Sequence, residues 1–82
     1  MTAPCVDWRA SGGGWDGTAR RGAMAWSLSV RRREPSPLRP QAWAGRIGPG
    51  GEPACLGDDP AAVRAHLGRV ALREMADAAA GL

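Results

Sequence analysis

The sequence contains no Lys, Phe, Tyr or Asn, and Ile47 is its one isoleucine. Without Lys there is no ammonium for a phosphate-binding loop of the GxxxxGK type. The Gly-rich string GRIGPGG at 45–51 instead sits between two expected strands, where it reads as a hairpin turn over 48–51. One His and two Cys, with neither CxxC nor HxxxH spacing, give no closed zinc site and no disulfide framework. Cys5 and Cys55 are therefore expected to be free thiols in a reducing, cytoplasmic setting. No apolar run approaches the ~18 residues of a membrane helix. The opening MTAPCVDWRASGGG lacks the basic start and apolar stretch of a secretory signal. No membrane partner and no small-molecule substrate are expected.

What is abundant is Ala, Gly, Arg and Pro. The missing residues have A/T-rich codons, so a G+C-rich genome explains why every basic residue except His66 is Arg. This lowers the weight of the net charge of +3 as a sign of nucleic-acid binding. A chain of 82 residues buries only about 60–65% of the surface it exposes when unfolded, which makes a thin core.

The clearest element is 23–32, where Met24, Trp26, Leu28 and Val30 alternate with Ala25, Ser27 and Ser29: a half-buried strand with one wet face. A second strand fits 41–47, with Trp43 and Ile47 on one side and Ala42, Ala44 and Arg46 on the other. A third, 52–57, is expected to send Ala54 and Leu56 inward and Cys55 outward, with Pro53 at a strand start or edge. Upstream, 15–20 forms a further strand joined through an Arg21-Gly22 turn, and 5–10 is a weaker candidate before a flexible SGGG. EPSPLRP at 34–40 has three prolines and must be a loop or arm.

Asp58 or Asp59 as N-cap, Pro60 at the first position and Gly81 at the stop delimit a C-terminal helix. The negative charges of Asp58 and Asp59 also suit the positive end of the helix dipole. Val63, Leu67, Val70, Ala71, Leu72, Met75 and Ala79 make a broad apolar arc, with Gly68 inside it allowing close approach to the sheet. His66, Arg69, Arg73 and Asp77 lie opposite. The expected fold class is α+β: an antiparallel meander of three to five strands with one C-terminal helix packed on one face. It is one domain, 1–82, in which 1–14 is flexible or an edge strand, 15–57 the sheet and 58–80 the helix.

Cys55, His66 and the Asp58/Asp59 pair are the one grouping that suggests a nucleophile with its base. With Cys55 on the open side and His66 on the far side of the helix, the thickness of the domain would separate them, far beyond the ~3 Å of proton transfer. No catalytic residue, cofactor or metal is assigned.

Binding remains. The uncovered face is expected to carry Thr18, Arg20, Ser27, Ser29, Arg31, Ala42, Ala44 and Arg46. Its candidate contacts are Arg31, Arg32, Arg33 and Arg39, with Arg20 and Arg46 secondary, since guanidinium forks match phosphate or carboxylate. The same arginines could simply keep a sheet end in water. Trp26 and Trp43 belong to the core; Trp8 and Trp15 are core residues or, if exposed, contact anchors. An unpaired edge strand could also support sheet extension.

Two resemblances bear on function. WAGRIGPGGEPACLG followed by an alanine-rich helix resembles, over 23–80 and on Trp43 and Gly57, the arm-type DNA-binding domains of phage integrases. That likeness implies a three-stranded sheet in the major groove, although here the hairpin carries only Arg46 and then Glu52. The size, the sheet-plus-helix form and the lack of a catalytic set resemble small phage proteins of the anti-CRISPR kind. This second likeness implies an inhibitor that occupies a nucleic-acid-handling host complex by protein–protein contact. The expected partner is a protein with an acidic or nucleic-acid-binding surface, with direct DNA binding as the alternative.

Overall fold

The computed structural model describes residues 3–49 and 52–81. Five antiparallel strands, β1 (Cys5–Ser11), β2 (Gly14–Arg21), β3 (Met24–Arg32), β4 (Trp43–Ile47) and β5 (Cys55–Gly57), form a meander in chain order, and α1 (Pro60–Ala80) covers one face. This is the expected α+β architecture, with the 5–10 candidate now a full edge strand.

The SGGG stretch is not flexible but a two-residue hairpin. Gly12 and Gly13 take φ of 55° and 79°, the left-handed pair that a type I′ turn requires, and Ser11 pairs with Gly14. The next turn falls one residue later than expected, on Gly22-Ala23, because Arg21 is already paired with Met24. The 48–51 turn starts at Gly48, whose backbone N–H donates to the Ser27 carbonyl at 2.7 Å; Gly50 and Gly51 lie outside the described residues. The proline loop is ordered by its own backbone bonds, Ser36 and Arg39 exchanging N–H···O contacts of 3.0 and 3.1 Å.

The register puts Val6, Trp8, Trp15, Ala19, Met24, Trp26, Leu28, Val30, Trp43, Gly45 and Ile47 on the covered face. Val30 and Leu28 are all but inaccessible, and Val63, Leu67, Ala71 and Met75 of α1 close over them. Val70 and Leu72 are half-buried, whereas Ala79 is exposed, like His66, Arg69, Arg73 and Asp77. Asp59 is the N-cap, its Oδ1 accepting from the Ala61 N–H at 3.0 Å. Gly81 ends the helix in a right-handed conformation, its N–H donating to the Asp77 carbonyl.

Two expectations about packing are corrected. The close approach of helix to sheet is not at Gly68, where a Cβ would sit 3.4 Å from Val6, an ordinary contact. It is at Gly57, where a Cβ would meet Val63 at 2.7 Å, and at Gly45, where a Cβ would meet the Cys55 Sγ at 2.9 Å, Leu67 at 3.0 Å and Val63 at 3.1 Å. In β5, Cys55 pairs with Gly45 and so faces the helix, whereas Leu56 pairs with Ala44 and faces outward. A shift of one residue exchanges the two faces of a strand, and the void above Gly45 accepts the small thiol.

Candidate functional site

The face of the sheet away from α1 is built from alternate residues of every strand. One cross-strand row runs Asp7–Thr18–Ser27; the next runs Arg9–Asp16–Ser29–Arg46. Arg20 lies beside Cys5 and Ala25, and Arg31 beside Ala44, which pairs in turn with Leu56. Asp7, Arg9, Arg20, Ala25 and Ser27 are exposed, and Asp16, Thr18, Ser29, Arg31 and Arg46 are half-exposed. The expected members Thr18, Arg20, Ser27, Ser29, Arg31, Ala44 and Arg46 thus share one face, but Ala44 is fully buried rather than open to solvent, and Ala42 precedes β4 and is not among its strand residues.

The charges on this face are interleaved. Arg20 Nη1 donates to Asp7 Oδ2 at 2.9 Å, with both groups largely in solvent. Arg31 Nη2 donates to Asp16 Oδ1 at 2.5 Å and its Nη1 to the Trp15 carbonyl at 2.8 Å. Gly14 makes room for that guanidinium: a Cβ there would lie 2.9 Å from Arg31 Nη1. Asp7, Arg9, Asp16, Thr18 and Arg20 surround a recess of about 280 Å³. Four guanidinium groups against two carboxylates leave the face basic, in a fixed pattern of signs.

The arginine run does not act as one patch, because consecutive residues of a strand point to opposite sides. Arg31 lies on the open face. Arg32 is paired with Trp43 and places its guanidinium 5.5 Å from that ring's centre. Arg33 Nη1 donates to the Arg39 carbonyl at 2.6 Å and the Gln41 carbonyl at 2.7 Å, so it fastens the proline loop. Arg39 is exposed on that loop next to Leu38, which is 94% exposed and, among the described residues, is the large apolar side chain most open to solvent. Sequence reasoning passed over Leu38, Arg9 and the two aspartates. Arg9, Asp7 and Asp16 become visible as partners only once 5–10 is accepted as a strand.

All four tryptophans are half-buried and pack on the core. Trp15 and Trp43 sit 5.7 Å apart at a tilt of 53°, and Arg64 of the first turns of α1 lies 4.4 Å over Trp15. Arg32, Trp43, Trp15 and Arg64 thus form a contiguous cluster of two tilted rings, each with a guanidinium within cation–π range.

The separation argued between Cys55 and His66 does not hold. Because Cys55 faces the helix, it lines a cleft of about 370 Å³ together with Asp58, Asp59, Ala62 and His66. Within it, burial pushes the Cys55 thiol above its usual pKa, only partly offset by a backbone hydrogen bond from Gly45. Its S–H donates toward the Val63 carbonyl at 3.9 Å. A thiol held protonated in this way is a poor nucleophile. Among the described residues, no cluster of three or more His, Cys, Asp or Glu is disposed to hold a metal ion, and no helix is long and apolar enough to cross a membrane.

No protein-family model, curated protein or solved structure matches the chain.

Proposed function

We propose that the protein is a non-enzymatic binding module that docks a partner protein on the open face of its sheet. The observation that supports this reading is the row Arg9–Asp16–Ser29–Arg46, a flat line of alternating charge and small side chains left uncovered by the helix. Small residues let a partner backbone come close. The preset Arg20–Asp7 and Arg31–Asp16 pairs hold their side chains in place and lower the ordering cost of association. The excess of guanidinium favours an acidic patch on the partner, and added salt then slows association more than it speeds dissociation. An inhibitor that occupies a surface of a nucleic-acid-handling complex would work in this way, without turnover.

Duplex DNA is the second reading, favoured by the same arginines. Asp7 on the edge strand and Asp16 beside it on β2 oppose it, since a phosphate backbone laid across the rows would meet both carboxylates. The test is capture from the native host with two variants. One carries Ser27→Arg and Arg46→Glu on the open face; the other carries Arg69→Glu and Arg73→Glu on the helix. A partner kept by the helix variant and lost by the face variant supports the reading; a partner kept by both overturns it. A gel shift of random duplex that weakens with salt at a log–log slope near −0.9 per phosphate would transfer the face to DNA.

A further inference from the structure

We propose that the outer edge of β1 pairs antiparallel with β1 of a second copy of this chain, centred on Trp8, so that two sheets join into one. The proposal is independent of what the open face binds.

The strand β1 is an edge, and among the described residues none of the backbone bonds outside the regular elements reaches it. The I′ hairpin sets which of its backbone groups are spare. Ser11 and Gly14 flank the two-residue loop and exchange ladder bonds. Alternation then makes Arg9/Asp16, Asp7/Thr18 and Cys5/Arg20 bonded pairs as well. Val6, Trp8 and Ala10 therefore turn their N–H and C=O groups outward, ready to bond a further strand.

A two-fold pairing through those groups can centre on one of them or on Asp7 or Arg9 between them, and the side chains choose which; the last two would set Asp7 against Asp7 or Arg9 against Arg9. Centred on Trp8, Asp7 of one copy stands directly opposite Arg9 of the other, twice, while Val6 meets Ala10 and Trp8 meets Trp8. Centred on Val6, Asp7 would face Cys5; centred on Ala10, Arg9 would face Ser11 and Trp8 would face the turn. Only the first register gives opposite charges on both non-bonded positions, where cross-strand side chains come closest. Asp7 and Arg9 are both exposed on the edge. Each Trp8 ring lies over Gly17 of β2 on the covered face, so it turns away from the free edge and leaves the outward backbone of β1 clear. The axis is perpendicular to the sheet, so both helices stay on one side and both open faces on the other.

Sedimentation velocity across a concentration series tests this. The wild type is expected to dimerise reversibly. Arg9→Asp and Asp7→Arg are each expected to be monomers, because like charges then face each other, whereas an equimolar mixture of the two restores a dimer. Ala10→Pro removes an outward N–H and no ladder bond within the chain, and it is expected to keep the circular dichroism of the fold while losing the dimer. Cys5→Ser and added reductant are expected to change nothing, since the two Cys5 residues would lie roughly 20 Å apart along the seam. A wild type that stays monomeric up to about 1 mM would overturn the proposal. Single-charge variants that dimerise like the wild type, or a mixture that does not pair, would also overturn it.

Discussion

On the covered side of the sheet, Arg32 and Arg64 lie over the rings of Trp43 and Trp15; on the uncovered side, Arg20 and Arg31 reach across strands to Asp7 and Asp16. The residue type is the same and the physics is not. Against an aromatic face the guanidinium acts as a flat, weakly hydrated lid that closes a core short of large side chains. In solvent it acts as one pole of a charge pattern whose strength depends on how much water and backbone surround it. The covered side therefore carries the stability, and the open side, proposed as the docking face, is freer to vary. Substitutions on the two sides should differ accordingly.

The largest effect is expected where helix and sheet touch. In Gly45→Val, the new side chain has no space among Cys55, Leu67 and Val63, all within about 3 Å of where its Cβ would stand. Overpacking of this kind costs about 1–3 kcal/mol or more. In a domain of this size each 1 kcal/mol lowers Tm by about 4–8 °C. Thermal unfolding followed by circular dichroism is the measurement; an unchanged Tm would show that the helix does not rest on β4 at this point.

A middle-sized effect is expected at Arg31. Arg31→Met keeps the aliphatic stem over Gly14 and deletes the fork, so the Trp15 carbonyl and the Asp16 carboxylate each lose a bond. Charged hydrogen bonds in a half-exposed setting of this kind suggest a loss of about 1–2 kcal/mol, read as a shift in urea midpoint at constant slope. Arg31 is thus the open-face residue that most resembles the covered side. A null result would place it with the solvent-exposed pairs.

How much of this could be read from residues alone varies with the length of each alternating run. The stretch 24–30 repeats its pattern enough to fix both its period and its dry face, and Pro60 with Asp59 marks the helix start by chemistry specific to that position. Cys55–Gly57 is three residues long, too short for a period to declare itself, so its register depends on the void above Gly45, which belongs to another strand. The Cys55–His66 separation failed for that reason. Arg31, Arg32 and Arg33 look alike in sequence, and their three fates are set by Asp16, Trp43 and the Arg39 carbonyl, partners known only after folding. Part of the open face's membership was legible; Arg9 and the carboxylates of Asp7 and Asp16 that interleave its arginines were not.

The smallest effect is expected at the pair the open face shares with the edge. Arg20 and Asp7 retain 53% and 72% of their side-chain exposure, and they hold each other by a single 2.9 Å contact. Water screens that attraction, and ordering two mobile side chains offsets most of what is left, so exposed pairs of this kind contribute about 0–1 kcal/mol. A cycle of Arg20→Ala, Asp7→Ala and the double variant, measured by urea unfolding at concentrations where the chain is monomeric, isolates the coupling. A value near the lower end, falling further with added salt, fits a pair that arranges the surface without supporting the fold. A coupling above about 2 kcal/mol would mean that Arg20 and Asp7 carry stability as Arg31 does, and the distinction between a structural side and the proposed docking side of the sheet would fail at β1.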